Sequence, residues 1–146
     1  MIRIFKQEDA KICSKIMIKC IHKNLTSLSK ENKEFMIKMS QPDKLIEKSQ
    51  KVLFYVYEIE NKILGTGALD RDEIRTMFVD PIYQKKGIGK EMLNFLINLA
   101  KSKGYKRIWL GASIEAEGFY KKQGFKKFNE KNDFNFKVIE MEKILN

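Results

Sequence analysis

The chain has 146 residues, with 29 Lys and Arg against 19 Asp and Glu, a formal charge of +10; this size suits one domain that folds alone, and this charge suits an acidic ligand such as nucleic acid, anionic lipid or a phosphorylated cofactor. The N-terminal MIRIFKQEDAKICSKIMIKC carries charge every few residues and offers neither a signal-peptide core nor a membrane span. Cys13 and Cys20 fall on one helical face about two turns apart, too far for a disulfide, which predicts a reduced, cytoplasmic protein with no membrane partner; with His22 as the one histidine they cannot assemble a metal set.

In chain order, Met1 to Phe5 alternates as a short strand, and Glu8-Asp9 offers an N-cap to a helix with Ile12, Ile16 and Cys20 on its apolar side. Leu25 to Gln50 is helical and polar, interrupted at Pro42. The β-branched and aromatic run Val52 to Ile59 turns at Glu60-Asn61-Lys62 into Ile63 to Leu69, which predicts a hairpin. A third strand, Glu73 to Val79, follows the Asp70-Arg71-Asp72 turn and stops at Asp80-Pro81, because proline has no N–H for a ladder. Ile88, Met92, Phe95, Leu96, Leu99 and Ala100 then recur at three- and four-residue steps, an amphipathic helix closed by Gly104. Tyr105 to Leu110 reads as a strand, so strand, loop, helix and strand form a βαβ unit whose strands run parallel. A short helix around Ile114 to Lys122, a stop at Gly124, and strands near Phe125 and from Phe136 to Met141 complete the chain. No repeat, low-complexity segment or linker divides it, which predicts one domain over residues 1–146 of class α/β (α+β), a single mixed sheet with helices on both faces.

The loop between the third strand and the long helix, within VDPIYQKKGIGKEM, is the chemically informative stretch. It is no P-loop, since Glu91 follows Gly89-Lys90 where Ser or Thr is needed, and it lacks the third glycine of a dinucleotide fold, where Met92 stands. What remains, Gln84-Lys85-Lys86-Gly87-Ile88-Gly89 opening a helix, still suits an anion: free N–H groups at the positive end of a helix, with glycines that let a ligand reach the backbone.

Those residues resemble the Q/R-x-x-G-x-G/A acyl-CoA loop of the GNAT acetyltransferase superfamily, and Phe119-Tyr120-Lys121-Lys122-Gln123-Gly124-Phe125 resembles its downstream F-Y-x-x-x-G-F motif. The resemblance covers about Val52 to Phe125; the N-terminal third shares only the order of elements. It implies a mixed, mostly antiparallel sheet with a splayed parallel pair in its centre, the pantetheine arm of acetyl-CoA lying in the gap against Met77, Phe78 and Val79. It also implies a pyrophosphate held by the N–H groups of Gln84, Lys85, Lys86, Gly87, Ile88 and Gly89, with Lys85, Lys86 and the neighbouring Lys90 supplying charge. Ser113 stands where the family often has asparagine, and its shorter hydroxyl can still donate to a cofactor oxygen.

The implied chemistry is acetyl transfer from acetyl-CoA to a primary amine by direct attack, without a metal. Tyr120 matches the family's general acid, a phenol that returns a proton to the departing thiolate, while backbone N–H groups near Phe78 and Val79 polarise the thioester. Glu73, eleven residues before Gln84, has the spacing of the family's catalytic glutamate and competes with water for the role of base. Glu115 and Glu117 are expected to face solvent, as is the basic edge of Lys121, Lys122, Lys126 and Lys127, and His22 is expected at a surface or half-buried position without a catalytic role. A non-catalytic acyl-CoA-binding regulator and, less favoured, a nucleic-acid module stand beside the enzyme reading; the latter has no recognised motif. The acceptor falls to the Lys23 to Gln50 segment and the loop Asn129 to Phe134, and monomer and homodimer both stay open.

Overall fold

The computed structural model describes residues 1–133 and 136–146. Strand β1 (Ile2–Ile4) leads through a 3-10 turn (Gln7–Asp9) into α1 (Ala10–Asn24), α2 (Lys30–Met39) and α3 (Pro42–Ser49). Then come β2 (Leu53–Ile59), β3 (Lys62–Asp70), β4 (Glu73–Val79), α4 (Ile88–Ser102), β5 (Arg107–Ala112), α5 (Glu117–Lys122), β6 (Lys126–Asp133) and β7 (Phe136–Ile144). The strands form one seven-stranded sheet in the order β1-β2-β3-β4-β5-β7-β6. All neighbours are antiparallel except β4 and β5, the central pair, which run parallel.

Local chemistry accounts for most boundaries. Glu60 and Asn61 take φ of 50° and 64°, which fits a two-residue hairpin turn whose twist matches the strands it joins. Pro42 begins α3 as its first residue rather than breaking a longer helix, its missing N–H being one that no helix start uses. Gly104 follows α4 at φ 84°, the left-handed position that ends helices. Strand β5 starts two residues later than Tyr105, because Tyr105 still closes the end of α4, its N–H donating to Ala100 O at 3.2 Å. The expected Asn129 to Phe134 loop is instead β6 as far as Asp133, paired from Lys126↔Glu142 to Asp133↔Phe136; Phe134 lies outside the described residues.

Two apolar clusters sandwich the sheet. On one face Leu93, Leu96 and Ala100 of α4 are fully buried with Ile108, Leu110, Ile139 and Met141. On the other, Cys13, Ile16, Met17 and Cys20 of α1 and Leu45 of α3 cover Phe54 and Val56. Each such leucine contributes about 1.5–3 kcal/mol by leaving water. Ile12 corrects its sequence assignment: the buried stripe of α1 centres on Cys13, Met17 and Cys20, and Ile12 falls past its rim, 45% exposed. Gly67 of β3 permits the close approach of α4, since a Cβ there would stand 2.7 Å from Met92 Cγ.

Asp9 behaves differently from a helix cap. Its carboxylate makes no cap bond to α1 and takes two bonds from Arg3 (2.8 and 3.0 Å) and one from Lys6 N–H (2.7 Å). Arg3 also reaches Glu58 at 2.8 Å, so this cluster fastens β1 to β2 and to the start of α1.

Candidate active site in the β4–β5 cleft

The parallel pair meets at a single register position, Glu73↔Trp109. Trp109 N–H donates to Asp72 O at 3.0 Å and its indole Nε1 to Asp72 Oδ1 at 3.1 Å. Beyond that point the strands diverge, and a cleft of about 460 Å³ opens between their C-terminal ends. This is where ligands bind in open α/β sheets, outside the carboxyl ends of parallel strands.

Backbone groups of β4 face the gap. Asp80 N–H donates back to Leu64 O at 2.8 Å, so by alternation the Val79 carbonyl points away from β3. It accepts from Gln84 Nε2 (2.9 Å) and from the Cys20 thiol (3.1 Å). The Val79 N–H and the Met77 peptide groups share that direction and meet no strand partner, because β5 has already splayed away.

The loop into α4 supplies the second wall. Lys85 and Gly87 have φ of 64° and 89°, and Gln84 lies extended after a 3-10 turn (Pro81–Tyr83), an arrangement that turns successive N–H groups inward as anion nests do. Gly87 is the N-cap residue of α4, and a Cβ placed on it would meet nothing within 4 Å, so the space before the helix is open. A Cβ on Gly89 would lie 3.4 Å from the Phe119 ring, which floors the cleft. Gln84 also exchanges amide bonds with Asn24 at the end of α1 (2.8 and 3.3 Å). The residues present therefore fit a long ligand with an anionic end: an unpaired strand edge, then a helix N-terminus with lysine charge.

Met77, Phe78, Val79, Gln84, Lys85, Gly87, Gly89, Lys90, Ser113 and Tyr120 all line this one cleft. Three candidates sit apart from the lining. Ile88 turns its side chain into the core against Gly65 and can offer only its N–H. Lys86 lies over the Tyr83 ring at 5.7 Å, with Lys62 on the same ring at 4.9 Å, at the cleft mouth. Glu73 is also outside the lining; at the closed end of the strand pair, its carboxylate accepts from Arg75 Nε at 3.1 Å.

Tyr120 packs edge-on against Phe119 (5.1 Å) and Phe125 (5.8 Å) and is 7% exposed. Among the described residues its hydroxyl has no hydrogen-bond partner, yet no side-chain oxygen sealed from solvent lacks one, so the hydroxyl opens to the cleft. Burial pushes the phenol well above its ordinary pKa and keeps it protonated. Ser113 accepts from Ala116 N–H at 3.2 Å, which leaves its own proton free for donation.

Cys20, Tyr83 and Ala116, to which no sequence motif assigns a role, complete the lining together with Asn24 and Leu25 of the segment expected to meet the acceptor. Burial raises the Cys20 thiol to about 12, so it serves as a hydrogen-bond donor and not as a nucleophile. Glu115 is exposed as expected but also lines the cleft, accepting from Ser27 N–H at 3.2 Å and so joining the α1–α2 loop to the segment before α5. No local pattern announces that contact. A second concavity of about 370 Å³, among Lys51, Arg71 and Lys103, lies far from both motifs.

The acetyltransferase (GNAT) domain family matches residues 24–145. The chain belongs to that family. GNAT relatives include the spermine/spermidine N(1)-acetyltransferase of Bacillus subtilis, 42% identical over 87 residues, or 57% of this chain and 53% of that protein. An N-acetyltransferase of Methanocaldococcus jannaschii is 34% identical over 86 residues, 49% of this chain and 38% of its own length. The match thus spans about half the length of the first relative and less of the second. In fold, an N-acetyltransferase from Rhodopseudomonas palustris superposes with a TM-score of 0.92 at 21% identity, over 99% of this chain and 95% of its own. The PaiA N-acetyltransferase of Thermoplasma acidophilum, solved with coenzyme A, does so at 0.85 and 22% identity, over 99% and 98%. The GNAT architecture expected from the two motifs, a mixed sheet with a splayed central parallel pair, is the one observed. No helix of the described residues is long and apolar enough to cross a membrane.

Proposed function

We propose that the chain is an acetyl-CoA-dependent N-acetyltransferase acting on a primary amine. The observation that carries this reading is the Tyr120 hydroxyl, which has no partner among the described residues and opens into the same cleft as the unpaired β4 edge and the glycine loop. A hydroxyl kept for structure alone would be tied down.

Acetyl-CoA supplies the thioester that an amine attacks. In this reading the Val79 N–H donates to the oxygen that gains charge while Met77 faces the pantetheine arm, and a backbone donor fixed in advance needs no reorganisation as that charge develops. The loop N–H groups from Gln84 to Gly89, with Lys85, Lys86 and Lys90, hold the pyrophosphate, and Ser113 donates to a cofactor oxygen. Tyr120 hydrogen-bonds to the departing sulfur and gives it a proton; burial makes that proton harder to release, and the same dry surroundings make the thiolate a stronger base. The amine's proton passes to water in the cleft, since Glu73 lies outside the lining with its carboxylate held by Arg75.

The relative's acceptors, spermine and spermidine, are the first amines to try. Thiol release from acetyl-CoA would be followed with these polyamines, amino acids and peptide N-termini. Turnover with at least one amine, lost in Tyr120→Phe, is expected; tight acetyl-CoA binding without amine-dependent thiol release would leave a regulatory binder instead.

A further inference from the structure

Strand β4 is not regular. Its pairing with β3 jumps from Thr66↔Phe78 to Ala68↔Arg75, so β4 carries an extra residue, and Thr76 takes φ of 57°. A β-branched residue in the left-handed region is an outlier, and such strain persists only where surrounding contacts over-determine it. Here two contacts do so. The Thr66 hydroxyl, on a residue 1% exposed, donates to Thr76 O at 2.7 Å, and Lys48 Nζ, reaching from the last turn of α3, donates to Thr76 Oγ1 at 3.0 Å. The next residues along the strand are Met77, Phe78 and Val79, the part of β4 that lines the cleft.

Lys48 is an unusual choice for a structural hydrogen bond. Its ammonium has no carboxylate partner among the described residues, and the charge acting on it is that of Arg75, itself held by Glu73 and Asp70. Burial draws its pKa below the ordinary lysine value, and Arg75 adds to that. A neutral donor would hold Thr76 at less cost. What a long side chain adds is reach: from α3, which packs against β2, it spans to the turn in β4.

We infer that Lys48 is a positioning residue: together with Thr66 it clamps the left-handed turn at Thr76, and through that turn it sets the direction of the Met77–Val79 backbone that faces the pantetheine arm and the thioester. The inference rests on the acetyltransferase reading of the cleft. It assigns Lys48 no contact with acetyl-CoA or with the acceptor; its effect passes through Thr76.

Three variants test it: Lys48→Met, which keeps the stem and loses the donor; Lys48→Arg, which keeps charge and donor; and Thr76→Gly, which adopts the turn without strain and removes the hydroxyl that Lys48 holds. Amide exchange is measured in the acetyl-CoA complex, and kcat and KM with the best amine. Lys48→Met should exchange faster at Met77, Phe78 and Val79 and unchanged at Gly87 and Gly89, with kcat down on the order of 10- to 100-fold at similar KM for both substrates. Lys48→Arg should recover most of both, and Thr76→Gly should match Lys48→Met without a lower melting temperature. Thr76→Gly decides the matter should Lys48→Met not fold. Unchanged exchange at Met77–Val79 would overturn the inference, as would an unaltered kcat for the folded enzyme, or a rise in acceptor KM alone, which would mean that Lys48 touches the amine substrate. A parent protein that turns over no amine refutes the acetyltransferase reading, while the exchange comparison still decides the role of Lys48.

Discussion

The side-chain amide of Gln84 donates to the carbonyl of Val79 at 2.9 Å and so ties the loop that enters α4 to the last residue of β4. The two walls of the cleft, strand edge and glycine loop, are therefore one mechanical unit, with Asn24 of α1 bracing it from the side. A ligand that spans both walls binds to a surface already set in place, which lowers the ordering cost of binding.

Gly87 is the point where that surface is most exposed to substitution. Gly87→Glu puts a carboxylate into the open space before α4 and a non-glycine residue at φ 89°. Acetyl-CoA binding measured by isothermal titration should be abolished, while the left-handed strain costs only about 1–2 kcal/mol of stability. Parent-like binding would refute the loop assignment.

Lys85→Ala and Lys86→Ala should each weaken acetyl-CoA binding modestly, because both ammonium groups stand in solvent at the cleft mouth. The loss should be larger at low ionic strength and shrink as salt rises, since exposed charges are screened within about 10 Å at 0.1 M. Titration at two salt concentrations checks the trend; a salt-independent loss would mean that the lysines act by shape.

Tyr120→Phe keeps the ring between Phe119 and Phe125 and removes only the hydroxyl. Turnover should fall on the order of 10² to 10⁴ with acetyl-CoA affinity little changed. Melting temperature should hardly move, because that hydroxyl bonds no described residue. Since burial holds the phenol above its ordinary value, the parent's rate should show no loss from Tyr120 ionisation anywhere below pH about 10. Lowered stability with unchanged turnover would remove Tyr120 from the chemistry.

Asp9→Asn tests the clamp of β1. Burial by itself raises the Asp9 carboxyl, but the bonds from Arg3 and Lys6 N–H outweigh it and hold the group below its ordinary value. A depressed carboxyl stabilises the fold above its unfolded pKa of about 3.9 and loses that contribution as pH falls through the folded value. The variant should lose about 3 kcal/mol at pH 7, where Arg3 is left half-paired. In urea titrations the gap between parent and variant should narrow steadily below pH about 4; a gap independent of pH would mean that the charge of Asp9 is not what matters.

Much of the site could be read from sequence because its parts are local. The left-handed Gly87, the helix that follows it and the run Phe119 to Phe125 each depend on residues within a few positions of one another, and the period of three and four in α4 marks its core face without knowledge of what covers it. Even there, the period did not single out Leu93 and Ile97, which are buried as deeply as their neighbours. What the tertiary structure alone decided is where distant segments meet. Sequence pattern states that β4 and β5 are strands; only the assembled sheet shows them touching at Glu73↔Trp109 and parting beyond it. The same holds for Thr76, whose left-handed turn no turn residue announces and whose partners Thr66 and Lys48 lie 10 and 28 residues away. Asp9 looks like a helix cap until Arg3 and Glu58 are brought beside it, and Ser27 and Glu115 meet across 88 residues. A pattern of apolar and polar residues fixes which face a side chain takes, because that follows from the local backbone period. It does not fix the partner, because that depends on the packing of segments the chain folds together only once the sheet has formed.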